Sequence, residues 1–180
     1  PLTTTCATGD RTLTGVVISD YTGVPTSGAF VPRVYYNKNN SAWSSKPGTL
    51  TSGTATNGTW SFPIAAADMG GLTAGDSVKY YIIAQDIMAT PNIGSSPGGV
   101  NAFDVNTVNS HPIAPNRYAI GGSLSGTYTI GGGGAYPTLT AAVAAYNAAC
   151  LAGPVTFSLT DPNYPLETYP IVINANPYAS

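Results

Sequence analysis

The sequence is short of charge. Only 8% of its 180 residues are Asp, Glu, Lys or Arg, against roughly 25% in an average soluble protein. Six basic and eight acidic residues leave a net charge of -2, and no cluster of Lys or Arg occurs along the chain. Nothing is therefore present to neutralise phosphates or anionic head groups, which argues against nucleic acid and membrane surfaces as partners. An apolar run of the about 20 residues that a spanning helix takes is also missing, so no membrane insertion is expected. Histidine occurs once and cysteine twice, with no C-x-x-C pair. Zinc and redox metals thus lack a ligand set, and no cofactor is expected.

Cys6 and Cys150 stand far apart in the sequence. A bridge between them would staple two regions of the chain together; two separate buried thiols are the reading their separation favours. The chain also lacks an initiator Met and a positively charged leader, as expected of a mature or excised segment. Thr, Ser, Asn and Gly take the place of charge, with 21 Gly and 15 Pro in all. That is the surface expected of a secreted, extracellular or cell-surface β protein, and 43% hydrophobic content is enough for a packed core.

Strand signals dominate the first two thirds. Arg11 to Ile18 ends in the β-branched run Val16-Val17-Ile18 before the turn-like Ser19-Asp20. Phe30, Val31, Val34, Tyr35 and Tyr36 form a second run, closed by the turn cluster Asn37 to Asn40, and Ala42-Trp43 opens a short third element. Thr59 to Ile64 alternates, with Trp60, Phe62 and Ile64 on one side, and its Pro63 points to an open edge. Val78 to Ala84 is aromatic and β-branched throughout and reads as a central strand. Residues 89–99 read as loop, Val100 to Val105 as a last strand, and 106–115 again as loop before Arg117 to Ile120. Many short strands between turn signals predict a sandwich whose core includes Val16, Ile18, Val34, Tyr36, Trp60, Phe62, Ile64, Val78, Tyr80 and Ile82. Tyr81 and Ile83 fall on the opposite face of their strand, which predicts cover on both sides.

The pattern changes at Gly121-Gly122. Thr127 to Ile130 reads as a strand, and the four glycines Gly131 to Gly134 as a flexible joint. Next comes the one helix pattern, capped by Thr138 and ended by Gly153, with Leu139, Val143, Tyr146 and Cys150 on one face. Val155, Phe157 and Leu159 alternate after it, as do Ile171 and Ile173, so two more strands are expected, over Val155 to Thr160 and Tyr169 to Ala175. The expected division is residues 1–120, a Gly-rich joint with one strand at 121–136, and 137–180.

Thr5 to Thr14 (TCATGDRTLT) and Tyr80 to Asp86 (YYIIAQD) resemble the immunoglobulin-like repeats of large surface proteins exported by type IX secretion. Gly126 to Gly134, Tyr136 to Leu139 and Gly153 to Phe157 are similar to the opening segment of right-handed parallel β-helix domains in the same class. The resemblance implies a mainly β fold, an immunoglobulin-like β-sandwich followed by a capping helix and the first strands of a right-handed parallel β-helix. It implies a non-catalytic structural or adhesive role, as part of a much longer chain. A solenoid needs about three stacked repeats to bury its core, so further domains of the same polypeptide, or neighbouring subunits, are the expected partners. The alternative is a carbohydrate-binding accessory module of a larger extracellular polysaccharide-degrading enzyme, with surface glycans as ligands.

Candidate sites are few. The Ala84-Gln85-Asp86 ending resembles the calcium-binding strand ends of cadherin-like sandwiches, which makes Asp86 the calcium candidate. Calcium takes six to eight oxygens; Asp20, Asp68, Asp76 and Asp104 stand in no loop pattern that would gather them, so all five read more simply as solvated loop-end carboxylates. Ser110-His111 lacks an orienting third group and a nucleophile elbow. Asp161 and Glu167, the acids of the last sixty residues, flank a Pro-rich loop and read as turn chemistry rather than a glycosidase pair. No catalytic residue is assigned. Asp76-Ser77-Val78 resembles the O-glycosylation pattern of such exported proteins, marking Ser77. Asn39-Asn40-Ser41 and Asn57-Gly58-Thr59 fit the N-glycosylation pattern and read as turns. Trp43 is the glycan-stacking candidate among loop aromatics that include Tyr21, Tyr136, Tyr164, Tyr169 and Tyr178.

Overall fold

The computed structural model describes residues 1–176. The chain divides into two compact units, Pro1–Ile120 and Gly121–Ser180, and is mainly β, with one α-helix among the described residues.

In the first unit β1 (Arg11–Ser19), β5 (Asn57–Ile64) and β4 (Thr49–Gly53) form an antiparallel sheet in that order. A second antiparallel sheet runs β3 (Ser44–Pro47), β2 (Arg33–Lys38), β6 (Ser77–Gln85), β10 (Asn116–Ala119). β7 (Ile93–Ser96) pairs with the end of β6 that β10 leaves free. Strand alternation sets which side chains meet. Trp60, Phe62 and Ile64 from β5 are fully buried with Val34 and Tyr36 from β2 and Val78 and Tyr80 from β6, in one cluster that includes Leu13, Val24, Met69, Leu72, Tyr118 and Ile120. Each such side chain contributes about 1.5–3 kcal/mol on burial. Val16, Ile18 and Ile82 border this cluster and stay half-buried.

The other face of β6 has its own cover. Tyr35, Tyr81 and Ile83 pack on Val105, which stands at the turn of the hairpin β8 (Asn101–Asp104) and β9 (Thr107–Ser110). Tyr35 donates its hydroxyl to the Val105 carbonyl at 2.9 Å, and Val105 donates its N–H to Gln85 Oε1 at 2.9 Å. This hairpin lies partly where a loop was expected, as does β7.

Other local expectations change as well. Pro63 lies in the middle strand of its sheet, opposite Thr12, because β4 has already departed: its last partner on β5 is Ser61. The edge that proline needs is local to that residue. Asn57 and Gly58 belong to β5 rather than to a turn. Asn39 and Asn40 do form a turn, with φ of 50° and 64°, closed by Ser41 N–H on the Lys38 carbonyl at 2.8 Å. The chain crosses between the sheets at Gly48, where the Phe62 ring occupies the space any Cβ would need.

In the second unit β11 (Ser123–Ile130) and β12 (Cys150–Leu159) pair in parallel, with Tyr128 opposite Phe157. Parallel neighbours require a crossover, and α1 (Leu139–Ala148) lies within it. The Thr138 side chain caps α1 by accepting from Ala141 N–H at 3.0 Å. Ala142 and Val143 form its buried face. Cys150 begins β12, its N–H on the Gly122 carbonyl at 2.9 Å, so the helical spacing that runs on to Cys150 is accidental and Gly153 is a strand residue.

Gly131 to Gly134 form a shaped turn rather than a joint: Gly131 N–H reaches the Tyr136 carbonyl, Gly134 N–H the Gly131 carbonyl, and Gly132 N–H the Asp161 carboxylate at 2.8 Å. Tyr169 to Ala175 carry no strand. Their backbone is held by Asn147 instead, which donates to the Val172 carbonyl at 2.8 Å and accepts from Asn174 N–H at 2.9 Å.

Both cysteines are disulfide-bonded, so the reading of two separate thiols fails.

Candidate functional site

Asp86 sits just past the end of β6 and is only 3% exposed. Its Oδ1 accepts from Met88 N–H at 3.2 Å and Asn92 N–H at 3.0 Å, and its Oδ2 from the Asn92 amide at 2.8 Å. Burial alone would raise its pKa; hydrogen bonds from Asn92, Met88 and Thr22 outweigh that and hold it below the usual carboxylate range. Asp20, at the end of β1, accepts from the Thr22 hydroxyl at 2.6 Å and from the N–H groups of Thr22 and Gly23, both at 2.9 Å. The Thr22 hydroxyl bond is the chief reason its pKa is also lowered, against burial and the repulsion of Asp86. The two carboxylates thus lie within electrostatic reach of each other although far apart in sequence.

The other acids named with Asp86 go elsewhere. Asp68 accepts from the Tyr36 hydroxyl at 2.5 Å and pairs with Lys46 at 3.2 Å. Asp76 accepts from Thr73 N–H and the Asn39 amide, and Asp104 from Asn106 and Thr107 N–H. Among the described residues no group of three or more His, Cys, Asp or Glu converges as on a metal.

Asp20 and Asp86 close one end of a cleft of about 420 Å³ that runs between β1 and β7. Val16, Ile18, Val24, Ile82 and Ala84 line it with Ile93 and the small residues Gly94, Ser95 and Ser96. Asp20 and Asp86 are its charged lining residues. Sequence reasoning missed this cleft because its two walls come from strands that share no hydrogen bonds and because β7 is too polar to announce itself.

His111 accepts or donates through Nδ1 to the Tyr81 hydroxyl at 2.7 Å and stacks on Trp43 at 4.5 Å between ring centres. Burial lowers its pKa, and no hydrogen bond joins it to Ser110 among the described residues. Trp43 is half-buried, one face on His111 and an edge on Tyr81. Ser77 opens β6 half-buried, its N–H on Asn39 Oδ1 at 2.9 Å. Tyr21 is 99% exposed, Tyr136 packs on Phe157 and Tyr128, Tyr164 donates to the Ile130 carbonyl at 2.9 Å, Tyr169 is exposed, and Tyr178 lies outside the described residues.

Asp161 and Glu167 both serve backbone. Glu167 accepts from the N–H groups of Leu139 at 2.6 Å and Thr140 at 2.7 Å, at the start of α1 where donors are unsatisfied. Burial pushes its pKa up, and the bonds from Thr140 and Leu139 bring it below the usual range. No family model matches the chain, and no curated protein sequence matches it.

Proposed function

We propose that the chain is a non-catalytic structural or adhesive module of a secreted cell-surface protein, an immunoglobulin-like β-sandwich followed by a capping helix and the opening of a right-handed parallel β-helix. One observation carries the non-catalytic reading: all eight carboxylates accept hydrogen bonds within the fold, seven of them from backbone N–H groups. Asp10 holds Ala66 N–H at 2.8 Å, and Asp20, Asp76, Asp86, Asp104, Asp161 and Glu167 close turns or a helix end in the same way. Side chains that satisfy local backbone donors hold loops in place, and the lowered pKa of Asp20, Asp68, Asp76, Asp86 and Glu167 suits fixed acceptors rather than proton donors near neutrality. The parallel β11–β12 pair behind a helix supports the β-helix half of the reading. The apolar residues that this unit leaves exposed support cover by further coils of the polypeptide or by neighbouring subunits.

The test is a turnover screen on polysaccharide and ester substrates together with a glycan array. No turnover and no glycan binding are expected. Turnover that vanishes on changing one residue would overturn the reading. Array binding lost in Trp43→Ala but kept in Trp43→Phe would favour the carbohydrate-binding accessory module instead.

A further inference from the structure

We infer that the cleft between β1 and β7 receives one extended peptide strand, with apolar residues at alternate positions and a Lys or Arg at the end beside Asp20 and Asp86. Both walls are open edges. Among the described residues β1 pairs with β5 alone and β7 with β6 alone, so each presents a row of unpaired N–H and C=O groups to the gap. Edges are commonly blunted by Lys or Pro. Val16 to Ser19 and Ile93 to Ser96 carry neither, and Gly94, Ser95 and Ser96 leave a backbone free to approach. Each edge offers four residues, about 13 Å at roughly 3.3 Å per residue, enough for a short added strand.

The floor argues for the same occupant. Val16, Ile18, Ile82 and Ala84 pack against the main core yet are only half-buried, whereas Val34, Tyr36, Trp60, Phe62 and Val78 in that core are fully buried. The two sheets are therefore unclosed along this side. An inserted strand would turn alternate side chains onto those four residues and its polar ones to water, which is what period-two alternation does.

Charge sets the polarity of the partner. The lining is acidic only, through Asp20 and Asp86, and the two repel each other. All three hydrogen bonds that Asp20 receives among the described residues go to Oδ1, which leaves Oδ2 for an incoming cation. An ammonium or guanidinium there would pair with Asp20 and feel the charge of the buried Asp86 behind it, and a carboxylate would meet two like charges.

The inference goes beyond the proposed role and holds whether or not the chain is secreted, so a negative glycan array leaves it standing. It is tested on the whole chain, isotope-labelled for NMR, with acetyl-Lys-Val-Thr-Val-Thr-Val-amide and its reversed sequence, since both strand directions are open. The controls replace the Lys by Glu, or both Thr by Pro. At least one Lys peptide is expected to shift and protect amides of Val16 to Ser19 or Ile93 to Ser96. The Glu version should bind about tenfold more weakly, and the Pro version should not protect the edges. Asp20→Asn keeps an acceptor for the Thr22 and Gly23 turn and should abolish the preference for Lys over Glu. Where that variant misfolds, added salt should weaken the Lys peptide alone. Absent or scattered shifts, or equal affinity for the Lys, Glu and Pro peptides, would overturn the inference. So would concentration-dependent protection of the same edges without peptide, which would assign the cleft to a second copy of the chain.

Discussion

The two units bury their apolar residues in different ways. In the first, every strand of the two large sheets is antiparallel, and β6 is covered on one face by the β1–β5–β4 sheet and on the other by the β8–β9 hairpin. In the second, two parallel strands and one ten-residue helix leave Leu159, Leu166, Val172 and Ile173 at 55%, 79%, 58% and 67% exposure. Antiparallel strands can be closed by short turns, whereas a parallel pair spends its chain on a crossover and gains a core only as further layers stack. Outside the β1–β7 cleft the two faces of β6 in the first unit thus carry their own cover, and the second unit is organised by polar clamps, Glu167 on the start of α1 and Asn147 on the 172–174 backbone.

The sharpest way to break this comparison is to cut into each core. Phe62→Ala should destabilise the first unit by about 3–5 kcal/mol. Val143→Ala, on the buried face of α1, should cost the second unit roughly 1.5 kcal/mol, at about 0.8 kcal/mol per buried CH₂. Chemical denaturation followed by residue-resolved NMR measures both, and equal losses would show that the second unit has a core of comparable depth.

Smaller effects separate turn shape from packing. Gly131 has φ of 134°, and a Cβ there would stand 2.6 Å from Asp161 Cγ, so Gly131→Ala should cost more than about 1 kcal/mol. Gly133, with φ of 87° and no atom within 4 Å, meets strain alone, and Gly133→Ala should cost less. A melting temperature unchanged by Gly131→Ala would restore the reading of these glycines as a joint.

The smallest effect near neutrality is His111. Its folded pKa is lowered by burial, so the unfolded chain binds more protons, and stability should fall slightly as pH drops below about 6.5, with no effect above. Further down, the lowered carboxylates Asp20, Asp68, Asp76 and Asp86 of the first unit and Glu167 of the second contribute stability above about pH 4 that is lost as pH falls through their folded values. Four against one predicts that acid weakens the first unit more, as thermal melts across pH would show.

How much of this could be read from residues follows the same divide. β6 was legible almost to the residue because Val78 to Ala84 is aromatic and β-branched on both faces, and Trp60, Phe62 and Ile64 announced β5 by alternation. β4, β7 and β9 were not, since Thr, Ser, Asn and Gly become strand there only by pairing with a stronger neighbour. The helix start was legible in Thr138, but its end was masked by Cys150 falling at helical spacing. The carboxylates read as solvated loop-end groups, but burial was not legible: Asp76 and Asp86 are buried, because the donors that hold them come from turns that only folding assembles. What stayed hidden was the cleft, because Asp20 and Asp86 meet through folding and carry no shared motif.

Amide hydrogen exchange on the oxidised, purified chain tests the central claim most directly, that the first unit covers β2, β5 and β6 with its own elements while the second leaves its apolar residues exposed. The amides of β2, β5 and β6 should exchange only through global opening, and those of β12 orders of magnitude faster through local opening. Uniform slow exchange across both units, in a chain that light scattering shows to be monomeric, would contradict it.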